Sequence, residues 1–311
     1  MTMRIPVLPA LFGAVLAMSC SGAHAAPLPP ACAVGGAGSL SASPTEATAR
    51  NYILRFSPGA GAPSLHAASV TVSGAGGSAR DMRDILDAAS VVLLGALVNH
   101  HGASCTADYF LAALQPILAG LQTGQVYDIS WSSPVAQTGA KQIRFGALHL
   151  HLSGGSGAQP IAVSLDLGGA GMTGDTVLAS LLPQDAQSDF SIPAQALGPL
   201  LAATAGRPAR SVAVPVTIRT LRARRGDMQL EGAGSAELTG SPDAASASGH
   251  MSMRNLPELI ETLRAAGQTR PAAALIMANL VGHHTDAADT SWDVEWAGGI
   301  LTVNHIPLPL R

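Results

Sequence analysis

The stretch 249–311 constrains the fold most, because its periodicity describes a complete unit of strand, two helices and a strand pair. One face of a helix is indicated by apolar residues at the i, i+3, i+4, i+7 spacing, namely Leu256, Leu259, Ile260 and Leu263. Asn255, followed three residues later by Glu258, predicts a capping box at the start of this helix, and Gly267 ends it. We expect the stripe to pack on the apolar face of a sheet, against Val294 or Trp296.

A second helix and a strand pair complete this unit. The helix is predicted to begin at Thr269, with an apolar stripe formed by Ala273, Ile276, Met277 and Leu280. The chain then alternates between apolar and charged residues, which places on one face Trp292, Val294 and Trp296. Gly298-Gly299 predicts a turn into a final strand over 300–309.

The rest of the chain predicts strands that are apolar on one face, separated by Gly-rich turns. The clearest alternation is that of Ile161, Val163, Leu165 and Leu167. Helices are predicted over 81–99, 106–121, 176–182 and 193–203, and Pro215 indicates an edge strand. The pattern predicts an α+β fold: an antiparallel, curved β-sheet meander with helices packed on one face.

The N-terminus has the features of an export signal. Residues 1–25 combine a basic start, a short apolar run and the small-x-small site Ala23-His24-Ala25, which predicts cleavage after Ala25. Cys20 leaves a lipoprotein as the alternative. We therefore expect a periplasmic or secreted protein with a flexible N-terminal arm over 26–50 and a single α+β domain over 51–311.

Two cysteines remain after the predicted cleavage site, Cys32 and Cys105. In an oxidising compartment the pair predicts one disulfide that closes a long loop. A redox or metal pair is the alternative, but no C-x-x-C spacing is present.

Composition excludes some partners. Charged residues make up 12% of the chain and the formal net charge is −3, so a nucleic-acid partner is not expected. The one basic cluster consists of Arg219, Arg222, Arg224 and Arg225. Such a cluster is typical of a solvated strand edge, and a contact with anionic lipid headgroups is the alternative.

The candidate metal sites are built around pairs of histidines. His149 and His151 lie two residues apart, hence on one strand face, and a zinc site there would need a third ligand such as Asp166. Two histidines on a solvent-facing strand are the alternative.

Two further histidine pairs lie near acidic or sulfur ligands. His283 and His284 stand beside Asp286 and Asp289 and could form an acid–base or metal cluster, or simply a polar loop. The pair at the predicted helix end, His100 and His101 near Cys105, fits the negative end of the helix dipole better than a metal site.

The C-terminal run Trp296-Ala297-Gly298-Gly299-Ile300-Leu301-Thr302-Val303-Asn304-His305-Ile306-Pro307-Leu308-Pro309 resembles the closing strand, of the form G-x-L-T-V-N-G-x-P-L-P, of uncharacterised families of bacterial periplasmic proteins. The Leu256-Pro257-Glu258-Leu259 helix pair is also similar to those families. His305 departs from the pattern, where glycine is usual. The resemblance implies an exported envelope protein with a long curved sheet, and no catalytic residue.

No G-x-S-x-G, P-loop, H-E-x-x-H or S-x-x-K motif occurs, and no cofactor is expected. The leading hypothesis is a non-enzymatic periplasmic protein that binds a lipid or other apolar ligand, or supports an envelope protein partner. The first alternative is a metal-dependent hydrolase that uses His149, His151, His283, His284 and Asp286. The second is a structural or adaptor module.

Overall fold

The computed structural model describes residues 25–56, 61–75, 77–98, 105–155, 159–196, 213–239, 244–284 and 289–308. His100, His101, Asp286 and all of the predicted signal peptide except Ala25 lie outside these residues. The strands are β1 (Ala33–Gly36), β2 (Ser39–Ala42), β3 (Glu46–Phe56), β4 (Ser64–Ser73), β5 (Val126–Ser132), β6 (Val135–Thr138), β7 (Lys141–Arg144), β8 (Ala147–Ser153), β9 (Ile161–Gly168), β10 (Gly171–Thr173), β11 (Asp185–Ile192), β12 (Val214–Arg225), β13 (Met228–Leu238), β14 (Ser246–Arg254), β15 (His283–His284), β16 (Asp289–Ala297), β17 (Ile300–Val303) and β18 (Ile306–Pro307).

The helices are α1 (Ala79–Val98), α2 (Ala107–Gln122), α3 (Thr176–Leu181), α4 (Leu256–Ala265) and α5 (Thr269–Val281). Thr106 caps α2, because its Oγ1 accepts a hydrogen bond from the Tyr109 N–H over 3.2 Å. Residues 194–196 are helical, and the remainder of the helix predicted over 193–203 lies outside the described residues. Within the described part of the chain, no helix is both long enough and apolar enough to cross a bilayer.

The sheet is antiparallel throughout. Its strands follow one another in the order β3, β4, β5, β8, β9, β11, β12, β13, β14, β16 and β17. Among the shorter strands, β1 and β2 pair with β3 at one end, and β18 pairs with β17 at the other. Strand β15 pairs with β16, and β6, β7 and β10 form a branch that starts from β4. The predicted α+β class is confirmed, with a curved sheet that does not close.

One face of this sheet is apolar nearly from end to end. Directly paired residues in neighbouring strands project to the same face, so the register traces a single row across the sheet. That row runs through Val72, Ile129, Leu150, Leu165, Ser188, Leu221, Gly232, Met251 and Trp292. We call the side of the sheet that carries this row the apolar face.

The two ends of the apolar face are covered by two similar units. In the first, the hairpin β3–β4 is followed by α1 and α2, and the chain returns as β5 beside β4. In the second, the hairpin β13–β14 is followed by α4 and α5, and the chain returns as β16 beside β14. The buried residues accordingly form two separate clusters, one under each helix pair.

The stretch 26–50 is part of the domain, which corrects the expectation of a flexible arm. It forms β1, β2 and the start of β3, and it buries Ala47 and Ala49 completely. The predicted disulfide between Cys32 and Cys105 is present and links the start of β1 to the start of α2.

In the C-terminal unit, the first helix is confirmed and its cap is not. Leu256, Ile260 and Leu263 are buried, with Leu259 half-buried. The predicted capping box is wrong, because Asn255 adopts a left-handed conformation and makes no side-chain cap. Its amide Nδ2 instead donates to the carbonyl of Asp227 over 3.0 Å, which ties the helix start to the β12–β13 turn.

The stripe predicted for the second helix is also wrong. Ala273, Met277 and Leu280 are exposed, and Leu280 is 78% exposed. The buried residues of α5 are Ala272, Ala274 and Ala278. The helix therefore approaches the sheet through its alanines, with Leu275 and Ile276 half-buried beside them, whereas Met277 and Leu280 face outward.

The final strand predicted over 300–309 is two strands. Asn304 and His305 both have positive φ and form a two-residue turn between β17 and β18. Asn304 holds the turn in place, since its Oδ1 accepts from the Asp293 N–H and its Nδ2 donates to the Val281 carbonyl. The Gly298-Gly299 turn between β16 and β17 is confirmed, with positive φ at both glycines.

The middle of the sheet departs most from expectation. Strand β11 was not predicted, and it makes β12 an interior strand rather than an edge. The pairing between β11 and β12 ends at Ser191 and Thr217. Pro215 lies beyond this pair, so its missing N–H removes no hydrogen bond to β11. The arginine cluster therefore belongs to a central strand, not to a solvated edge.

Candidate functional site

A cavity with almost entirely apolar walls lies between the sheet and the second helix pair. It has a volume of about 400 Å³ and we call it the C-terminal chamber. Its floor is the apolar face of β12, β13, β14, β16 and β17, and its roof is α3, α4 and α5. A cavity of this volume falls in the range of roughly 300–1,000 Å³ typical of small-molecule sites.

The lining of the C-terminal chamber follows from the period of its strands and helices. The floor carries Met251 and Met253 from β14 and Trp292 from β16, whose alternate residues face outward. The roof carries Leu259 from α4 and Leu275 from α5. Methionine is flexible and polarizable, so a floor of this kind adapts to ligands of irregular shape.

The polar groups inside the C-terminal chamber are few and satisfied. The indole Nε1 of Trp292 donates to the Ala278 carbonyl over 2.7 Å in a buried contact, which fixes the ring against α5. The alanine at this point allows the close approach. The walls therefore offer apolar contact and no unpaired hydrogen-bonding group that would demand a polar ligand in the interior.

The lining of the C-terminal chamber includes two arginines of β12, Arg224 and Arg225. Arg224 is exposed, and its Nη2 lies 2.6 Å from Asp185 Oδ2. Arg225 is half-buried, and its Nη1 donates to the carbonyl of Leu182, directly after α3, over 2.7 Å. This bond holds the Arg225 guanidinium beside the apolar walls.

The histidines of β8 contact a carboxylate other than that of Asp166, the predicted third ligand. His149 Nε2 and His151 Nδ1 lie 3.3 and 2.7 Å from Asp128 Oδ1. Asp128 stands opposite His151 on β5, while Asp166 stands opposite His149 on β9. All of these side chains project from the face opposite the apolar face, since their neighbours Leu148, Leu150 and Leu152 carry the apolar face.

His283 and His284 form the short strand β15 beside β16. The Nε2 of His284 lies 3.0 Å from the Asn279 carbonyl, which can only accept, so Nε2 carries the proton. Its Nδ1 lies 3.2 Å from Thr290 Oγ1. Asp286 is outside the described residues, and the described residues contain no group of three or more His, Cys, Asp or Glu side chains arranged to hold a metal ion.

A buried acidic cluster on α1 was missed. Asp81, Asp84 and Asp87 are spaced three residues apart, and the spacing in an otherwise apolar helix was the available signal. Asp81 accepts from Ser78 Oγ over 2.6 Å and, in a buried contact, from the Ala25 N–H over 2.9 Å.

The other two carboxylates of the cluster line a second cavity of about 710 Å³. Asp87 accepts from the Tyr52 hydroxyl over 2.7 Å, and burial raises the pKa of both side chains. Burial also raises the pKa of Asp84, whose Oδ2 has no hydrogen-bond partner and lies 3.8 Å from Arg80 Nε. The walls carry both signs of charge, because Arg80 and Arg83 line the same cavity.

Asp84→Asn should raise the free energy of unfolding at pH 7 by about 1–3 kcal/mol, because it removes a buried charge with an unpaired oxygen. Burial raises the pKa of Asp84 in the folded state, so the wild-type fold carries no penalty while this carboxyl is protonated at low pH. The penalty for the buried charge appears as the pH rises through the folded pKa. The gain should therefore vanish below about pH 4. Urea denaturation at the two pH values measures it. Asp108→Asn, at an exposed carboxylate, is the control. An Asp84→Asn variant less stable than wild type at pH 7 would contradict the prediction.

Comparisons with protein-family models, with curated proteins and with solved structures find no match to this chain.

Proposed function

We propose that this protein is an exported, non-enzymatic binding protein that holds an elongated apolar ligand, such as a lipid acyl chain, in the C-terminal chamber. The observation that carries the proposal is the chamber itself: a space of about 400 Å³ with nearly all its walls apolar. Protein interiors are normally close-packed, so an apolar space of this size is a reason to expect a ligand.

Three other features support this proposal. The signal-like N-terminus and the disulfide fit an oxidising compartment. The C-terminal resemblance to exported bacterial proteins fits the same compartment. The apolar face continues beyond the chamber toward β11 and β9, where Leu165 is 36% exposed, so a long chain has apolar surface to follow.

Among the described residues, no cluster of three or more His, Cys, Asp or Glu side chains favours the hydrolase alternative. The histidines of β8 contact Asp128 on the face opposite the apolar face, whereas His284 contacts Thr290 and Asn279 next to β16. The structural or adaptor alternative predicts that no small apolar molecule binds, and the ligand experiment decides between it and our proposal.

Binding of saturated fatty acids of increasing length tests the proposal. Each methylene that enters the C-terminal chamber should tighten binding by roughly fourfold, equivalent to about 0.8 kcal/mol, until the space is filled. The measurement is displacement of a fluorescent fatty-acid probe from protein purified from the periplasm, together with mass spectrometry of any lipid that co-purifies.

Matched variants locate the site. Ala223→Leu adds side-chain volume to the floor of the chamber and should weaken the longest bound chain by roughly tenfold, since about two methylenes lose their place. Ala233→Leu, at an exposed position on the neighbouring strand β13, should leave binding unchanged. If no chain length shows saturable binding and no lipid co-purifies, the structural or adaptor alternative stands instead.

A further inference from the structure

We propose that Arg225 makes the C-terminal chamber selective for single-chain amphiphiles with an anionic headgroup, whose charged end it binds. This inference rests on the proposed function, because it assigns the headgroup of the same apolar ligand. The observation behind it is a pair of arginines in an otherwise largely apolar lining, of which Arg224 is ion-paired with Asp185 and Arg225 is not.

The strand period explains why this arginine differs from its neighbours. Arg222 pairs in register with Glu231 and belongs to the outer face of β12. Arg225 pairs in register with Met228, which is buried in the cluster under α4 and α5. Arg225 is therefore the member of the basic cluster that projects from the apolar face at the chamber end of β12.

The charges of the cluster are partnered differently. Arg222 Nε lies 3.5 Å from Glu231 Oε1, and Arg224 Nη2 lies 2.6 Å from Asp185 Oδ2. Arg225 takes part in no ion pair with any described residue, and its hydrogen bond is to the neutral carbonyl of Leu182. Most of its five N–H donors therefore remain available to a ligand.

A half-buried guanidinium beside an apolar wall gains most from an anion. When an acyl chain fills the C-terminal chamber, a headgroup placed beside the Arg225 part of the lining meets a guanidinium that Leu182 holds in position. A carboxylate or phosphate can accept two parallel N–H bonds from one guanidinium, and such charge-assisted bonds are the strong ones. A neutral hydroxyl headgroup offers no charge to match.

The test compares three probes with the same twelve-carbon chain and different headgroups: dodecanoate, dodecyl phosphate and dodecanol. At pH 8 wild type should bind dodecanoate about ten- to hundredfold more tightly than dodecanol. Arg225→Gln should lose that preference and should change dodecanol affinity by less than about threefold. Arg222→Gln, at the exposed and ion-paired position, should keep the wild-type preference.

The outcomes separate this inference from the proposed function. Tighter binding of dodecyl phosphate than of dodecanoate would support it and identify a phosphate headgroup, and the reverse order would support it and identify a carboxylate. Equal affinity of wild type for dodecanoate and dodecanol would overturn it while leaving the chamber as an apolar site. Failure of all three probes to bind would contradict the proposed function itself. The wild-type comparison needs no variant, so it holds even if Arg225→Gln does not fold.

Discussion

Replacing both Cys32 and Cys105 by serine should lower the free energy of unfolding by about 2–5 kcal/mol. The disulfide joins residues separated by 73 positions, and by the chain-entropy estimate a loop of that length contributes about 4 kcal/mol. The bridge also attaches β1 to α2 in the buried cluster under the first helix pair, where Cys32 is completely buried.

Guanidinium denaturation with and without reductant measures this effect. Reduction of the wild type should reproduce the loss seen in the double-serine variant, and reductant should leave that variant unchanged. The unfolded chain of the variant is less constrained, so the difference should appear in the denaturation midpoint. A loss below about 0.5 kcal/mol would mean that the N-terminal strands hold their place without the bridge.

The elements that the sequence predicted well are those in which one face is buried and the other is not. The first helix of the C-terminal unit and the strand with Trp292 and Val294 have this property, and both were predicted with the correct inward face. Their periodicity survives in the sequence because each has a single buried side. The predicted one-sided sheet follows from the same rule.

Strand β11 was missed because hydrophobic periodicity reports burial rather than strand structure. Its inward residues are Ala186, Ser188, Phe190 and Ile192, and only Ile192 is buried, while the other three are half-buried. Because Ala186 and Ser188 are small, the alternation in the sequence is weak. Its place is fixed by backbone pairing with β9 and β12, which depends on residues distant in sequence.

Helix α5 was assigned the wrong inward face for a different reason. Its sequence is apolar on nearly every side, so several stripes satisfy the helical period equally well. Packing selects the alanine face, because Ala278 allows Trp292 to reach its carbonyl. The residue type at position 255 is likewise ambiguous, because asparagine is suited both to capping a helix and to the left-handed conformation that Asn255 adopts.

The C-terminal chamber itself could not be predicted from the sequence. Periodicity indicates which side chains face each other across a layer, but it does not tell whether they fill the space between them. Arg225 was identified as part of a basic cluster, with lipid headgroups as one alternative. Only the register that pairs it with Met228 separates it from the outward-facing Arg222.

Leu263→Ala should lower the free energy of unfolding by about 2–5 kcal/mol, the usual cost of removing a buried leucine side chain. Leu263 is 5% exposed and belongs to the cluster against which Val294 packs, as the helical stripe predicted. Urea denaturation measures the loss. Leu280→Ala, at a position 78% exposed on α5, should change stability by less than about 0.5 kcal/mol.

Leu259→Ala, one turn away on the same helix, distinguishes packing from ligand binding. Leu259 is half-buried and borders the C-terminal chamber, where its methyl groups already face empty space. Because it has fewer neighbours to lose, its truncation should cost less stability than that of Leu263 and should alter fatty-acid affinity instead. Equal losses for the two variants, with unchanged affinity, would mean that the roof of the chamber is close-packed in solution and that the apolar ligand has no place there.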